Sequence, residues 1–441
     1  MPRIHRFLIL GLAVGMAGCG EANEVGPPAY SHSPTLKEDL KDRPRLQKKV
    51  VELMEGLFGP NPAEIHVPMD SGLPDDGARL AHKVVVVDPL GEVPEPKEGE
   101  PQTPSVPLAE EQPEPLAVGK KSGYQLYREH CLHCHGASGD GEGPTAPFLW
   151  PLPRDYRQGI FKFTSTSGTG PDSKPTRDDL RRTLIKGIPN TSMPPFEALM
   201  SNEEMERVID YVIFLSMRGE SERNLVYLAQ DYDDESVDDL TLDIASEAVA
   251  LVFSRWQEAD SKVLNPQQPR PEPTRASVLR GRDLYLGQKG LQCFGCHGVQ
   301  GDGQGESFID LKTFNRLVFR GDPGEGIEQL KEIADERQKK WSDEWGTPLR
   351  PADLTEGQYK GGRRPIDLYW RIAKGINGTP MPAHLGSQLQ TDQEVWDLVN
   401  FVLALPYEPD LLKDAKPYVT PSAASTQVSQ ANEATGQTSG G

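Results

Sequence analysis

The chain reads as a mainly helical protein in which one folding unit is used twice. Three observations predict this. The pattern Cys-x-x-Cys-His occurs at residues 131–135 and again at 293–297. The same series of small, aromatic and glycine landmarks recurs around both copies. Each series closes on apolar residues at i, i+3, i+4, i+7 and i+8: Met205, Val208, Ile209, Val212 and Ile213, then Val395, Leu398, Val399, Val402 and Leu403.

Two thiols separated by two residues can add to the two vinyl groups of one porphyrin, and the adjoining histidine then presents its imidazole to the iron. The spacing therefore points to two covalently attached haems. Cys131, Cys134 and His135 serve the first; Cys293, Cys296 and His297 serve the second. A thioredoxin-like couple needs no histidine after the second cysteine and would precede the helix of a βαβ pattern, which is absent. A zinc site would have to join two thiol pairs separated by about 160 residues. The chain has five cysteines, and the fifth is Cys19, so none remain to form a structural disulfide.

The landmarks follow in the same order in both units. Gly123 and Tyr127 correspond to Gly281 and Tyr285 on an opening helix. The stretch from His135 to Gly141 corresponds to that from His297 to Gly303. Pro153-Arg154-Asp155, Gly159 and Phe161-Lys162 correspond to Pro351-Ala352-Asp353, Gly357 and Tyr359-Lys360. Lys186 to Pro194 corresponds to Lys374 to Pro382, and the apolar helix comes last.

A haem held by one histidine is open to small ligands, whereas a second axial ligand closes the iron and favours electron transfer. Met193 lies 58 residues after His135, and Met381 lies 84 after His297, each in a Gly/Ile/Thr-rich loop and each followed by proline. A thioether is a soft, neutral ligand that stabilises ferrous iron, and the proline stiffens the loop that must hold it. The metal-ligand pairs expected are His135 with Met193 and His297 with Met381. His133 lies inside its motif, His130 and His384 fall near the haem edges, and His384 is a competing ligand three residues beyond Met381.

On these residues both segments resemble class I c-type cytochrome domains, over residues 119–218 and 275–408. The resemblance implies an all-α fold of two tandem class I cytochrome c domains joined by a helical and Pro-rich linker. It implies that the first and last helices of each domain cross, with Gly123 and Tyr127 against Tyr211 and Gly281 and Tyr285 against Phe401. It also implies a proline carbonyl that orients the proximal histidine, supplied to His135 by Pro144 or Pro147. Gly303-Gln304-Gly305-Glu306-Ser307 offers no proline, so a different orientation and a different potential are expected at His297.

The remaining chain is read as connection. Arg3 and Arg6 precede an apolar run from Phe7 to Ala17, too short to span a membrane. Met16-Ala17-Gly18-Cys19 resembles the bacterial lipobox, which implies removal of residues 1–18 and a lipid on Cys19; the alternative is an ordinary signal peptide that contains a cysteine. Either way the chain is expected outside the bacterial cytoplasm, where c-type haem is attached, and on the lipobox reading it is anchored on the periplasmic side of a membrane. Residues 19–118 read as a tether, with Leu46, Val50, Leu53, Met54 and Leu57 on one helix face and a brief strand at 83–88, a segment that either docks on a haem domain or does nothing beyond local folding, and then eight prolines from Pro89 to Pro115. Residues 219–274 form the linker, with an amphipathic helix near 244–256, and residues 409–441 a disordered tail. The second unit carries 36 extra residues before Pro351, either a candidate partner surface or a decorative helical excursion.

Net charge is −19, or −21 without residues 1–18, which argues against nucleic acid and for a basic docking patch on a partner. The expected function is single-electron transfer without bond chemistry. The expected partners are a redox-protein donor and acceptor, a membrane respiratory complex among them, and the membrane itself through the N-terminal lipid. Competing readings are a subunit of a terminal oxidase or dehydrogenase complex, and a di-haem peroxidase.

Overall fold

The computed structural model describes residues 29–74, 79–81, 83–91, 106–109, 112–305, 342 and 349–418. Cys19, the leader, most of the proline-rich stretch, nearly all of the second-unit insertion and the chain after residue 418 lie outside the described residues. No helix among the described residues is long and apolar enough to cross a membrane.

The first unit is organised by one long helix. α1 (Pro34–Asp39) and α2 (Pro44–Phe58) precede two parallel strands, β1 (Glu64–Pro68) and β2 (Lys83–Val87), paired in the register Glu64 to Lys83. Then come α3 (Gly123–His130), α4 (Leu132–His135), α5 (Arg177–Lys186), the 28-residue α6 (Asn202–Ala229) and α7 (Leu242–Gln257). α6 starts at a capping box in which Ser201 and Glu204 satisfy each other's backbone N–H groups. α1, α2, α3, α5 and α7 all pack on it, so it is buried on every side along most of its length.

Two expected boundaries change here. The division at residue 218 falls inside α6, because Arg218-Gly219-Glu220-Ser221-Glu222 looks like a solvated charge run and is instead buried, its charged side chains with partners. Arg218 lies over the Tyr30 ring, 3.9 Å from its centroid. Glu220 accepts from Lys174 Nζ and, at 2.8 Å, from the Trp256 indole N–H. Glu222 accepts from the Ser33 backbone N–H and from His32. The expected tether from residue 19 is likewise a folded layer from the first described residues onward. Leu46, Val50, Leu53, Met54 and Leu57 are buried in the same core as α3 and α6. Arg43 Nη1 donates to the carbonyls of Gln230 and Tyr232 at 2.7 and 2.8 Å, a cation closing the C-terminal end of α6.

The second unit has its own core, built from α8 (Arg275–Tyr285), α9 (Cys293–His297), α10 (Pro365–Lys374) and α11 (Asp392–Ala404). The tail expected from residue 409 is folded over its described part, residues 409–418. Residues 409–412 form a 3₁₀ turn that buries Leu411 and Leu412, and the Tyr418 N–H donates to the Leu286 carbonyl at 2.7 Å.

Both units depend on a close helix crossing. A Cβ on Gly123 would lie 2.2 Å from the Arg207 carbonyl oxygen, and one on Gly281 would lie 2.0 Å from that of Asp397. Only hydrogen fits there. Tyr127 packs on Tyr211 and Tyr285 on Phe401, each pair with ring centroids 5.2 Å apart.

The Lys174–Glu220 pair, with side chains 0% and 5% exposed, holds the loop ahead of α5 to α6, and Trp256 of α7 donates to the same carboxylate. Lys174→Met leaves Glu220 buried without its cation and is expected to lower stability by about 3–5 kcal/mol. Lys174→Met combined with Glu220→Gln should recover part of that loss, as read by chemical denaturation of the haem-loaded protein.

Candidate functional site

The two Cys-x-x-Cys-His segments fold alike. Each is a short helix, α4 or α9, that ends on a glycine at positive φ, Gly136 (75°) or Gly298 (81°), where a Cβ would collide with the side chain of Asp140 or Asp302. The chain then turns back on itself. Gly141 N–H donates to the His135 carbonyl at 3.0 Å and Gly303 N–H to that of His297 at 2.8 Å. Tyr127 Oη donates to the Gly136 carbonyl at 2.8 Å, and Tyr285 Oη to that of Gly298 at 2.5 Å. The opening helix is thereby tied to the motif it precedes.

The two motif histidines are oriented by backbone, at a place the family pattern did not indicate. His135 Nδ1 donates to the Arg154 carbonyl at 3.1 Å, and His297 Nδ1 to the Ala352 carbonyl at 2.9 Å. A carbonyl only accepts, so Nδ1 carries the proton and Nε2 keeps its lone pair for a metal. Neither Pro144 nor Pro147 takes this role, and the difference in orientation expected between the two histidines is not found. The acceptor is the residue after Pro153 or Pro351, a landmark the two units share. The 36 additional residues leave its place against the histidine unchanged, although they separate the two in sequence. Burial holds His135 neutral, with its pKa pushed down to about 4, and His297 is shifted the same way. Burial also pushes the Cys131 and Cys293 thiols up to about 12.

The methionine loops are duplicates down to single hydrogen bonds. Ile188 N–H donates to the Met193 carbonyl at 3.0 Å, and Ile376 N–H to that of Met381 at 3.1 Å. Thr191 Oγ1 donates to the Ile188 carbonyl at 2.8 Å and accepts from Met193 N–H at 3.1 Å. Thr379 does the same between Ile376 and Met381, at 2.7 and 3.2 Å. At Gly187 (φ 62°) and Gly375 (φ 76°) the loop passes so close beneath the methionine carbonyl that a Cβ would lie 2.6 and 2.5 Å from it. Sequence reading noted the threonines without a task for them.

Cys131, Cys134, His135 and Met193 line the same cavity as Cys293, Cys296, His297 and Met381, a space of about 2090 Å³ that runs through both units. This donor set fits covalently held haem. In each unit two free thiols and a neutral imidazole share the cavity with a thioether on an apolar wall. Among the described residues no three His, Cys, Asp or Glu side chains cluster to hold a metal ion, so the thiols do not converge as a zinc site would require. His130 and His384 also reach the cavity; His384 Nδ1 makes only a long contact, 3.4 Å, to Gln388.

The units are locked across this cavity by contacts the sequence did not suggest. Lys374 Nζ donates to Thr164 and to Ser173 Oγ, and Asn377 bonds Gly170 and the Ser173 carbonyl. Burial pushes the Lys374 ammonium down to about 8. Arg182 of α5 lies over the Trp370 ring of α10, 5.4 Å from its centroid. The linker is fastened on both sides: Leu264 N–H donates to the Ser165 carbonyl at 2.9 Å, while Trp370 and Trp396 donate their indole N–H groups to the carbonyls of Leu264 and Gln268.

Removing a loop threonine should loosen the methionine without touching it. Thr191→Ala and Thr379→Ala are each expected to cost about 1–2 kcal/mol of loop stability. The check is an imidazole titration, in which each variant should yield one haem at roughly tenfold lower imidazole than wild type.

The chain matches two family models in tandem: "Cytochrome C oxidase, cbb3-type, subunit III" over residues 119–212 and "Cytochrome c" over residues 278–406. No curated protein sequence matches it. Among solved structures, a chain of the reducing HAO-like protein complex of Kuenenia stuttgartiensis is similar at 26% identity, over 64% of this chain and 94% of that one, with a TM-score of 0.41. Both matches fall on the units that share the cavity, each with its own thiol pair and adjoining histidine. The chain is a di-haem c-type cytochrome, an electron-transfer protein with two cytochrome c domains in tandem and two covalently bound haems.

Proposed function

We propose that this cytochrome passes single electrons from a redox-protein donor to a redox-protein acceptor through both haems in turn, with His135 and Met193 as one axial pair and His297 and Met381 as the other. The observation that carries the reading is the single cavity lined by both sets of ligands. Each haem, when bound, supplies a one-electron iron couple. The chain's part is to hold the thioethers on stiff loops, keep each imidazole neutral and aimed, and shut water out of the apolar walls. Carbon monoxide is the test: the reduced wild-type spectrum should not change, and Met193→Ala should bind one carbon monoxide per two haems. A wild-type shift in half the haem would instead indicate an open iron and bring the peroxidase reading forward.

The anchoring expected from the leader belongs to this proposal. A lipid on Cys19 would leave ten residues before the folded layer at residue 29, a reach of at most about 36 Å. The first domain would then stay beside the periplasmic face of the membrane, within reach of a membrane respiratory complex. Cys19→Ser should move the haem protein from the membrane fraction to the soluble one. The match of the first domain to a subunit III model favours a second reading, a bound subunit of a terminal oxidase. Copurification with a membrane complex under mild detergent supports it, and a free haem protein in the same extract argues against it.

Docking of the two domains is expected to depend on Lys374 and Asn377. Lys374→Met with Asn377→Ala should enlarge the radius of gyration in small-angle scattering and expose residues 263–273 to protease, with both haem spectra unchanged.

A further inference from the structure

The two domains differ at the side chain that packs behind the proximal histidine. In the first, Tyr156 lies nearly parallel to the His135 ring, with centroids 4.7 Å apart and planes 19° apart. It is held there from several sides. Its N–H donates to the Gly139 carbonyl at 2.6 Å, and a Cβ on Gly139 would come within 2.8 Å of its ring. Phe161 stacks on it at 5.9 Å and 10°, and Trp256 meets Phe161 edge-on at 5.9 Å.

In the second domain the same position is Leu354. Its N–H donates to the Gly301 carbonyl at 2.7 Å, and it stands two residues after the carbonyl that receives His297, as Tyr156 does for His135. Tyr156 and Leu354 are each 8% exposed, so the two positions differ in chemistry more than in access to water.

We infer that Tyr156 is a positioning residue that lowers the reduction potential of the first haem, and that the exchange of tyrosine for leucine at this position is one way the chain makes its two haems unequal. This deepens the proposed relay and rests on His135 being the proximal ligand. When the iron gives up an electron, positive charge spreads onto the imidazole. The electron-rich face of the phenol ring attracts that charge and so favours the oxidised form, whereas leucine carries no such quadrupole. Arg154 acts in the opposite sense, since its charge is felt at His135 and Ala352 brings none. Single substitutions therefore isolate the ring, and a comparison of the two haems does not.

The test is a redox titration of the full haem-loaded protein, followed by visible absorption, with the reduced low-spin spectrum recorded alongside. Tyr156→Leu is expected to raise one midpoint and leave the other in place. Tyr156→Phe keeps the ring and should stay near wild type. Leu354→Tyr should lower the other midpoint. The inference is overturned if Tyr156→Leu leaves both midpoints unmoved, or lowers one, while the spectrum stays low-spin. Should Tyr156→Leu disturb folding, Leu354→Tyr decides, and an unmoved or raised midpoint there overturns the inference. A wild-type first haem that proves high-spin would sink the Met193 assignment alone, because the ring acts through the proximal imidazole and the same midpoint shifts still judge it.

Discussion

Each haem domain hangs on the contact of its first helix with its last. At Gly123 and Gly281 the backbones approach until a single methyl would separate them. That closeness lets Tyr127 and Tyr285 reach past the crossing and hold the Cys-x-x-Cys-His turn by its glycine carbonyl. The motif is a short helix of four or five residues, too short to hold its shape alone. Its geometry is borrowed from the helix pair, and through the motif so is the aim of the histidine. In the second domain the crossing is also bonded through polar groups, with Asp397 of α11 accepting from Ser277 and Arg280 of α8. The first domain instead builds its last helix into a larger core.

The paired cytochrome c units were legible in the sequence because they repeat. Thiols, histidines, methionines and crossing glycines each occur twice at matched landmarks, and the match identified the unit without knowledge of its surroundings. The carbonyl that orients each histidine escaped because backbone acceptors leave no residue signature. The family's pattern points to a proline near the motif, whereas the oxygen comes from the middle residue of the shared Pro-x-Asp landmark. Tyr156 escaped for a related reason: a tyrosine in one copy and a leucine in the other reads as a lapse in the repeat.

What the sequence hid more deeply was the extent of the first domain. Charged residues from Arg218 to Glu222 carry the mark of a solvated linker, yet each charged side chain among the buried ones meets a partner supplied by distant sequence: Tyr30 for Arg218, Lys174 for Glu220, Ser33 and His32 for Glu222. One further pairing, Arg218 with Glu222 at 3.6 Å, is an i,i+4 pair on α6 itself; the others cannot be seen by periodicity, because the compensating group lies on another element. Residues 29–91 were partly legible in the same way: their helix face was visible and docking on a haem domain was one of its two readings, but nothing in the face itself names α6 as the surface it covers.

The fastened linker carries a consequence for kinetics. In a carrier whose domains swing apart, the internal step waits on a diffusive encounter and slows in glycerol. Here Trp370 and Trp396 grip the linker from the second domain, Ser165 receives it from the first, and Lys374 reaches across to Thr164. On the proposed relay, passage between the two haems then requires no search. Solvent viscosity and added salt should bear on the meetings with outside partners and leave the internal step untouched.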